Sequence, residues 1–376
     1  MDKKNNFASV KQIDHFEHHH KAEHRKSALD VFTGVEQPPV TNPYFKKVKK
    51  QQISTDTYIK GILNQDITLL SQAITLVESH NPRHYAQAQE IIEKCLPYAG
   101  KSIRIGITGV PGAGKSTFIE AIGSLVTEKN HKLAVLAVDP SSERSGGSIL
   151  GDKTRMETIS SSKDVFIRPS PSSGSLGGVA RKTRETIILC EAAGFDMIFI
   201  ETVGVGQSET VVHSMVDIFM MLQISGAGDE LQGIKRGIME MADLVAITKA
   251  DGENINKAQM ARSHFINALH LFPMPESEVR PEVFTCSSYT GDGLEDVWKG
   301  VERFLEITTE NGYFKRNRHR QGKYWMHETI NQVLRDRFYR NPRIENLLEE
   351  YESKVTEDKI SSFIAAKELL AAFDKE

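Results

Sequence analysis

The stretch Gly109-Val110-Pro111-Gly112-Ala113-Gly114-Lys115-Ser116-Thr117 constrains this chain more than any other. It follows residues 103–107, an alternating apolar run that reads as a buried strand, and it precedes residues 118–126, whose apolar positions recur at helical spacing. A G-x4-G-K-S spacing set between strand and helix is the phosphate-binding loop, whereas an ordinary glycine turn requires neither the lysine nor these flanks. Glycines let successive N–H groups wrap a polyphosphate, and the helix start adds its positive dipole end. Lys115 is expected to reach the β- and γ-phosphates, and the Ser116 hydroxyl to take one Mg²⁺ position. The pattern implies a bound nucleoside triphosphate.

Around this loop the chain divides into four expected parts. Residues 1–50 are polar, broken by Pro38-Pro39 and Asn42-Pro43, and read as a flexible arm. The histidines at 15, 18, 19, 20 and 24 could bind Zn²⁺ or Ni²⁺, but a solvated polar arm explains them more simply. Residues 51–99 carry helical periodicity, with Asn81-Pro82 as a helix start. Residues 100–310 alternate apolar strands with amphipathic stretches. The strands are expected at 103–107, 132–138, 165–167, 197–200, 218–222, 244–247 and 283–285. Such alternation predicts an α/β fold with a mainly parallel, doubly wound sheet covered on both faces by helices. Residues 311–376 are helical again, with Trp325, Ile330, Val333, Leu334 and Phe338 read as one apolar stripe, and with the basic run of residues 315–323 read as a solvated face.

Ligands of such sheets lie beyond the carboxyl ends of the strands, so chemistry is sought there. Asp139 follows the second strand, and a glycine- and serine-rich loop leads on to Asp152; both can hold Mg²⁺ directly or through water. Glu201 follows the fourth strand as the acidic residue expected to read the metal, and Gly204 is placed to meet the γ-phosphate through its N–H. Gln207 could orient water, although it lies three residues beyond Gly204. Thr248-Lys249-Ala250-Asp251 follows the sixth strand. Asp251 can accept from both the ring N–H and the exocyclic amine of guanine, and the stem of Lys249 can lie along the base. Thr248 stands where such motifs usually begin with Asn, which reduces the hydrogen bonds expected there. Ser287, Ser288 and Tyr289 supply the loop whose backbone N–H meets the guanine oxygen. Together these features favour GTP over ATP and slow intrinsic hydrolysis, stimulated by a partner.

A net charge of -3 gives no broad basic field for nucleic acid or a membrane surface. No apolar run approaches bilayer length, and the amino terminus has neither a secretory apolar segment nor the acid-free composition of a mitochondrial presequence. Three scattered cysteines, Cys95, Cys190 and Cys286, suit a reducing compartment and argue against a thiolate metal site. A cytoplasmic enzyme is expected.

Residues 109–117, 138–142 with 146–155, 201–209 and 226–235 together resemble the methylmalonyl-CoA mutase-associated GTPases of the MeaB type, once described as amino-acid transport kinases. The likeness runs from about Tyr58 to the carboxyl terminus. It implies a homodimeric, Mg²⁺-dependent GTPase that chaperones the adenosylcobalamin-dependent mutase, gating cofactor loading and protecting or reactivating the enzyme. It also implies that residues 226–235 form a further switch loop and that the carboxyl-terminal helices dimerise. Two other readings stay open at this level: a nickel-insertion GTPase that uses the histidine-rich arm, and an ATP-dependent kinase linked to amino-acid transport.

Overall fold

The apolar runs form seven parallel strands. They are β1 (Ile103–Gly109), β2 (Leu133–Val138), β3 (Val165–Arg168), β4 (Met197–Thr202), β5 (Ile218–Ile224), β6 (Leu244–Thr248) and β7 (Glu282–Thr285). Their order across the sheet is β3-β2-β4-β1-β5-β6-β7. The computed structural model describes residues 53–79, 81–138, 156–169, 176–202, 208–225 and 236–374. Those residues belong to one compact unit, Ile53–Glu376.

Both sheet faces are covered, which is why the central strands read as nearly unbroken hydrophobic runs. Alternate residues nevertheless serve different cores. Leu133, Val135, Met197 and Phe199 face one cluster with Phe118, Ile119, Trp298 and Val301. Ala134, Leu136, Ile198 and Ile200 face the other with Ile62, Leu70, Ile91 and Ile187. Each fully buried Leu or Ile contributes roughly 1.5–3 kcal/mol, so the two layers hold the sheet from both sides.

Among the described residues, three α-helices precede the sheet: α1 (Thr55–Leu63), α2 (Ile67–Glu78) and α3 (Pro82–Cys95). Ser54, Asp66 and Asn81 cap them through side-chain oxygens that accept backbone N–H groups, each worth about 1 kcal/mol. Between the strands lie α4 (Lys115–Glu128), α5 (Glu157–Ser160), α6 (Leu176–Ala192), α7 (Ser208–His213), α8 (Arg236–Met241) and α9 (Ile255–His270). After β7 come α10 (Leu294–Glu310), α11 (Tyr313–Tyr339), α12 (Pro342–Thr356) and α13 (Ser362–Phe373).

Of the stripe from Trp325 to Phe338 in α11, Trp325 is buried, whereas Ile330 and Leu334 are 48% and 55% exposed. One expectation is corrected in this helix: the basic run is more than a solvated face. Arg318 donates to both carboxylate oxygens of Asp217 at 2.7 and 2.6 Å, and to the carbonyls of Gly100 and Ser102.

Candidate nucleotide site

The phosphate loop lies where the strand order reverses. From β1 the chain runs outward through β2 and β3, returns at β4, and crosses to β5, β6 and β7 on the other side. The carboxyl end of β1 therefore borders a crevice between diverging connections, the usual ligand position in such sheets.

Glycine is required in the loop for definite reasons. Gly112 and Gly114 have φ of +81° and +78°, where a side chain is strained. A Cβ on Gly109 would come within 2.5 Å of the Leu222 carbonyl oxygen, so only glycine lets β1 approach β5 there. Lys115, Ser116 and Thr117 occupy the first turn of α4. The helix starts at Lys115, so its free N–H groups and positive dipole end face the loop. The Lys115 amine donates to the Gly109 carbonyl at 3.0 Å, which folds its stem back over the loop. Burial lowers the Lys115 pKa, opposed by the nearby carboxylates of Glu201 and Glu209.

Glu201 falls inside β4, as its penultimate residue, and is 7% exposed. The Ser116 hydroxyl donates to Glu201 Oε1 at 3.4 Å. Two hard oxygen groups, the donor type that Mg²⁺ takes, thus meet beside the lysine. Thr202 donates to Thr108 at 3.0 Å and locks β4 to β1 below them.

On the opposite side, Thr248 ends β6 with its hydroxyl buried, 2.7 Å from the Ala113 carbonyl oxygen and 3.0 Å from that of Gln223. The side chain that lacks the amide of Asn still reaches the phosphate loop. Lys249 takes a left-handed φ of +58°, and its Cε lies 4.0 Å from where a Gly114 Cβ would stand. Ser287 donates to Asp251 Oδ2 at 2.6 Å, and the same hydroxyl oxygen accepts from the N–H groups of Tyr289 and Thr290. Ala250 N–H bonds the Cys286 carbonyl at 3.0 Å. The Asp251 segment and the 286–290 turn are one hydrogen-bonded unit, with Ser288 half-buried and Tyr289 92% exposed.

The crevice therefore brings together Gly109 to Thr117, Glu201, Thr248 to Asp251 and Ser287 to Tyr289. Gly204, Gln207, Asp139, Asp152, the 226–235 loop and the arm of residues 1–50 lie outside the described residues. Glu209 carries no role in the sequence reading, yet it is 3% exposed and close enough to Lys115 to act on it. Its signal was only its presence in the first turn after the Glu201 loop.

Known proteins resemble this chain over most of its length. A family model described as "Methylmalonyl Co-A mutase-associated GTPase MeaB" matches residues 70–343. A Caulobacter vibrioides protein named "Putative GTPase" is 51% identical, covering 85% of this chain and 98% of that protein. The Mus musculus "Methylmalonic aciduria type A homolog, mitochondrial" is 44% identical, covering 86% of this chain and 80% of that one. A solved structure, named "LAO/AO transport system kinase", is 35% identical with a TM-score of 0.68, covering 87% of this chain and 100% of the other. A phosphate loop at the switch point of a parallel sheet, an acidic strand end beside it and a lysine–aspartate motif opposite are GTPase features, and this chain belongs to the MeaB family of P-loop GTPases.

Proposed function

We propose that this GTPase serves an adenosylcobalamin-dependent methylmalonyl-CoA mutase, gating cofactor loading and protecting or reactivating the enzyme. The observation that carries the reading is the family match over residues 70–343, whose description names a mutase-associated GTPase. The mouse relative's name, which refers to methylmalonic aciduria, points the same way.

In the nucleotide cycle, Lys115 neutralises the β- and γ-phosphates and the amides of Gly109 to Thr117 cradle them. Mg²⁺, when bound, would supply positive charge that offsets the charge developing on the phosphates. Ser116 would hold it directly, with Glu201, Asp139 and Asp152 as direct or water-mediated ligands. Gly204 meets the γ-phosphate and Gln207 orients water. Lys249 and Asp251 read guanine, with Ser287, Ser288 and Tyr289 closing the base site. The work is positioning and charge neutralisation, which suits slow turnover until a partner completes the site. The chain acts as a cytoplasmic homodimer joined through residues 311–376, beside a GTPase core of residues 100–310, a helical part of residues 51–99 and an arm of residues 1–50. Exposed Phe363, Ile364 and Leu370 on α13 support that dimer surface.

A nickel-insertion role would need cysteine or histidine ligands beside the nucleotide loops. Cys286 is the described cysteine nearest them, and burial pushes its thiol up to about 12. An ATP-dependent kinase linked to amino-acid transport is disfavoured by Asp251, because adenine offers a bare ring nitrogen at that position.

The test is loading of adenosylcobalamin into apo-mutase, followed by cofactor absorbance, with the protein plus GTP, plus GDP, or as Lys115→Ala. Loading that depends on GTP and fails with Lys115→Ala supports the role. Loading indifferent to the protein and its nucleotide contradicts it.

A further inference from the structure

The carboxyl-terminal helix α11 grips the segment that carries α7 into β5. Three of its residues, Arg318, Gln321 and Trp325, are spaced i, i+3 and i+7 and so share one helix face. Each bonds a different point of a four-residue connector. Trp325 Nε1–H donates to the Ser214 carbonyl at 3.0 Å, Gln321 Nε2 to the Val216 carbonyl at 2.6 Å, and the Arg318 guanidinium to the Asp217 carboxylate at 2.7 and 2.6 Å. The contacts are sheltered: Trp325 and Gln321 are 6% and 4% exposed, and Asp217 is 5% exposed. Arg184 of α6 braces the face from behind, its guanidinium 5.7 Å from the Trp325 ring centre and within 3.4 Å of the Gln321 carbonyl.

The gripped connector begins directly after α7. That helix starts at Ser208, six residues beyond Thr202 at the end of β4, and its first turn places Glu209 near Lys115. At its other end Val212, Met215 and Val216 are buried in the same core cluster as Trp325. One short rigid element therefore joins the side of the site where the γ-phosphate is expected to the face held by α11. A six-residue helix spans only about 9 Å, so displacement at one end reaches the other.

We propose that Trp325 and Gln321, with Arg318, are positioning residues for GTP turnover, setting the depth of α7 beside the phosphate loop and carrying the nucleotide state to the carboxyl-terminal helices. This rests on the GTPase activity but not on the identity of any partner. It differs from simple packing because it requires the Trp325–Ser214 bond to change with the bound nucleotide. Neither the sequence pattern nor the family description assigns these residues a role.

The chain holds two tryptophans, Trp298 and Trp325, so indole emission can report the grip. Full-length protein is saturated with GDP or with a non-hydrolysable GTP analogue, and binding of each is measured separately by calorimetry. Wild type is expected to differ in emission between the two states. In Trp298→Phe, which leaves Trp325 as the sole indole, the difference should persist, and in Trp325→Phe, which keeps a ring but loses the donor, binding of both nucleotides should stay within about twofold. The kcat for GTP should fall by about threefold or more with KM little changed, the size of coupling a single network residue carries. Gln321→Met, which keeps length but removes the donor, should lower kcat in the same direction. An emission difference absent in wild type, or in Trp298→Phe, overturns the proposal, as does unchanged kcat in both Trp325→Phe and Gln321→Met. Failure of wild type to bind guanine nucleotide would instead remove the activity on which the proposal rests.

Discussion

The Thr248 hydroxyl lies 2.7 Å from the Ala113 carbonyl oxygen, tying the end of β6 to the middle of the phosphate loop. The segment proposed to read the base and the phosphate loop are thereby held at a fixed separation. Thr248→Val has nearly the same shape but leaves the buried carbonyl without its donor, at a cost of roughly 1–3 kcal/mol. GDP affinity should weaken by about tenfold, and Thr248→Ser should restore it. Calorimetric titration checks both; equal affinities for the valine and serine variants would show that the bond does not position the loop.

Asp251 is oriented by Ser287, whose hydroxyl occupies Oδ2 at 2.6 Å. A carboxylate accepts from two N–H groups of guanine, whereas an amide presents one acceptor and one donor. Asp251→Asn should therefore weaken GTP binding by about 100-fold or more and admit xanthosine triphosphate, which offers a carbonyl where guanine has its amine. Competition between the two triphosphates measures the exchange, and GTP binding at wild-type strength would argue against this carboxylate as the base reader.

Asp243, just before β6 at the opposite end of the sheet, supplies a pH dependence. Burial pushes its carboxyl up from 3.8 to about 7, although the Phe219 N–H it accepts pulls the other way. The folded chain thus keeps a proton that the unfolded chain releases, so this residue costs stability as pH rises from about 4 to about 7. The cost is complete above that window and absent below it. Asp243→Asn should gain in Tm relative to wild type across that range, and a difference that does not vary with pH would contradict the assignment.

Arg318 is the most heavily bonded side chain of α11, and Asp217 is its buried partner. Removing one member of such a pair strands the other, typically at about 3–5 kcal/mol. Arg318→Met should lower the free energy of unfolding by an amount of that order in denaturant titration. A loss under about 1 kcal/mol would place the pair among those that contribute little.

The sheet was legible because strands buried on both faces announce themselves as apolar runs, and all seven fall where the runs do. The runs understated their ends: Glu201 and Thr248 are polar, yet β4 and β6 include them because strand pairing continues through Glu201 to β1 and Thr248 to β5. The loop from Gly109 to Thr117 was legible because its chemistry is local. The Thr248–Ala113 bond was not, since the two residues lie 135 positions apart and only the fold brings them together. The role of Arg318 in α11 is illegible for a related reason: basic residues look alike in sequence whether they meet water or Asp217.

The most direct measurement is GTP turnover by the purified protein with and without the methylmalonyl-CoA mutase of the same cell, with Lys115→Ala as control. Slow turnover that the mutase accelerates, and that Lys115→Ala abolishes in both conditions, is the expected result. Turnover unchanged by the mutase would contradict the mutase as partner, and turnover surviving in Lys115→Ala would contradict the phosphate loop as the catalytic centre.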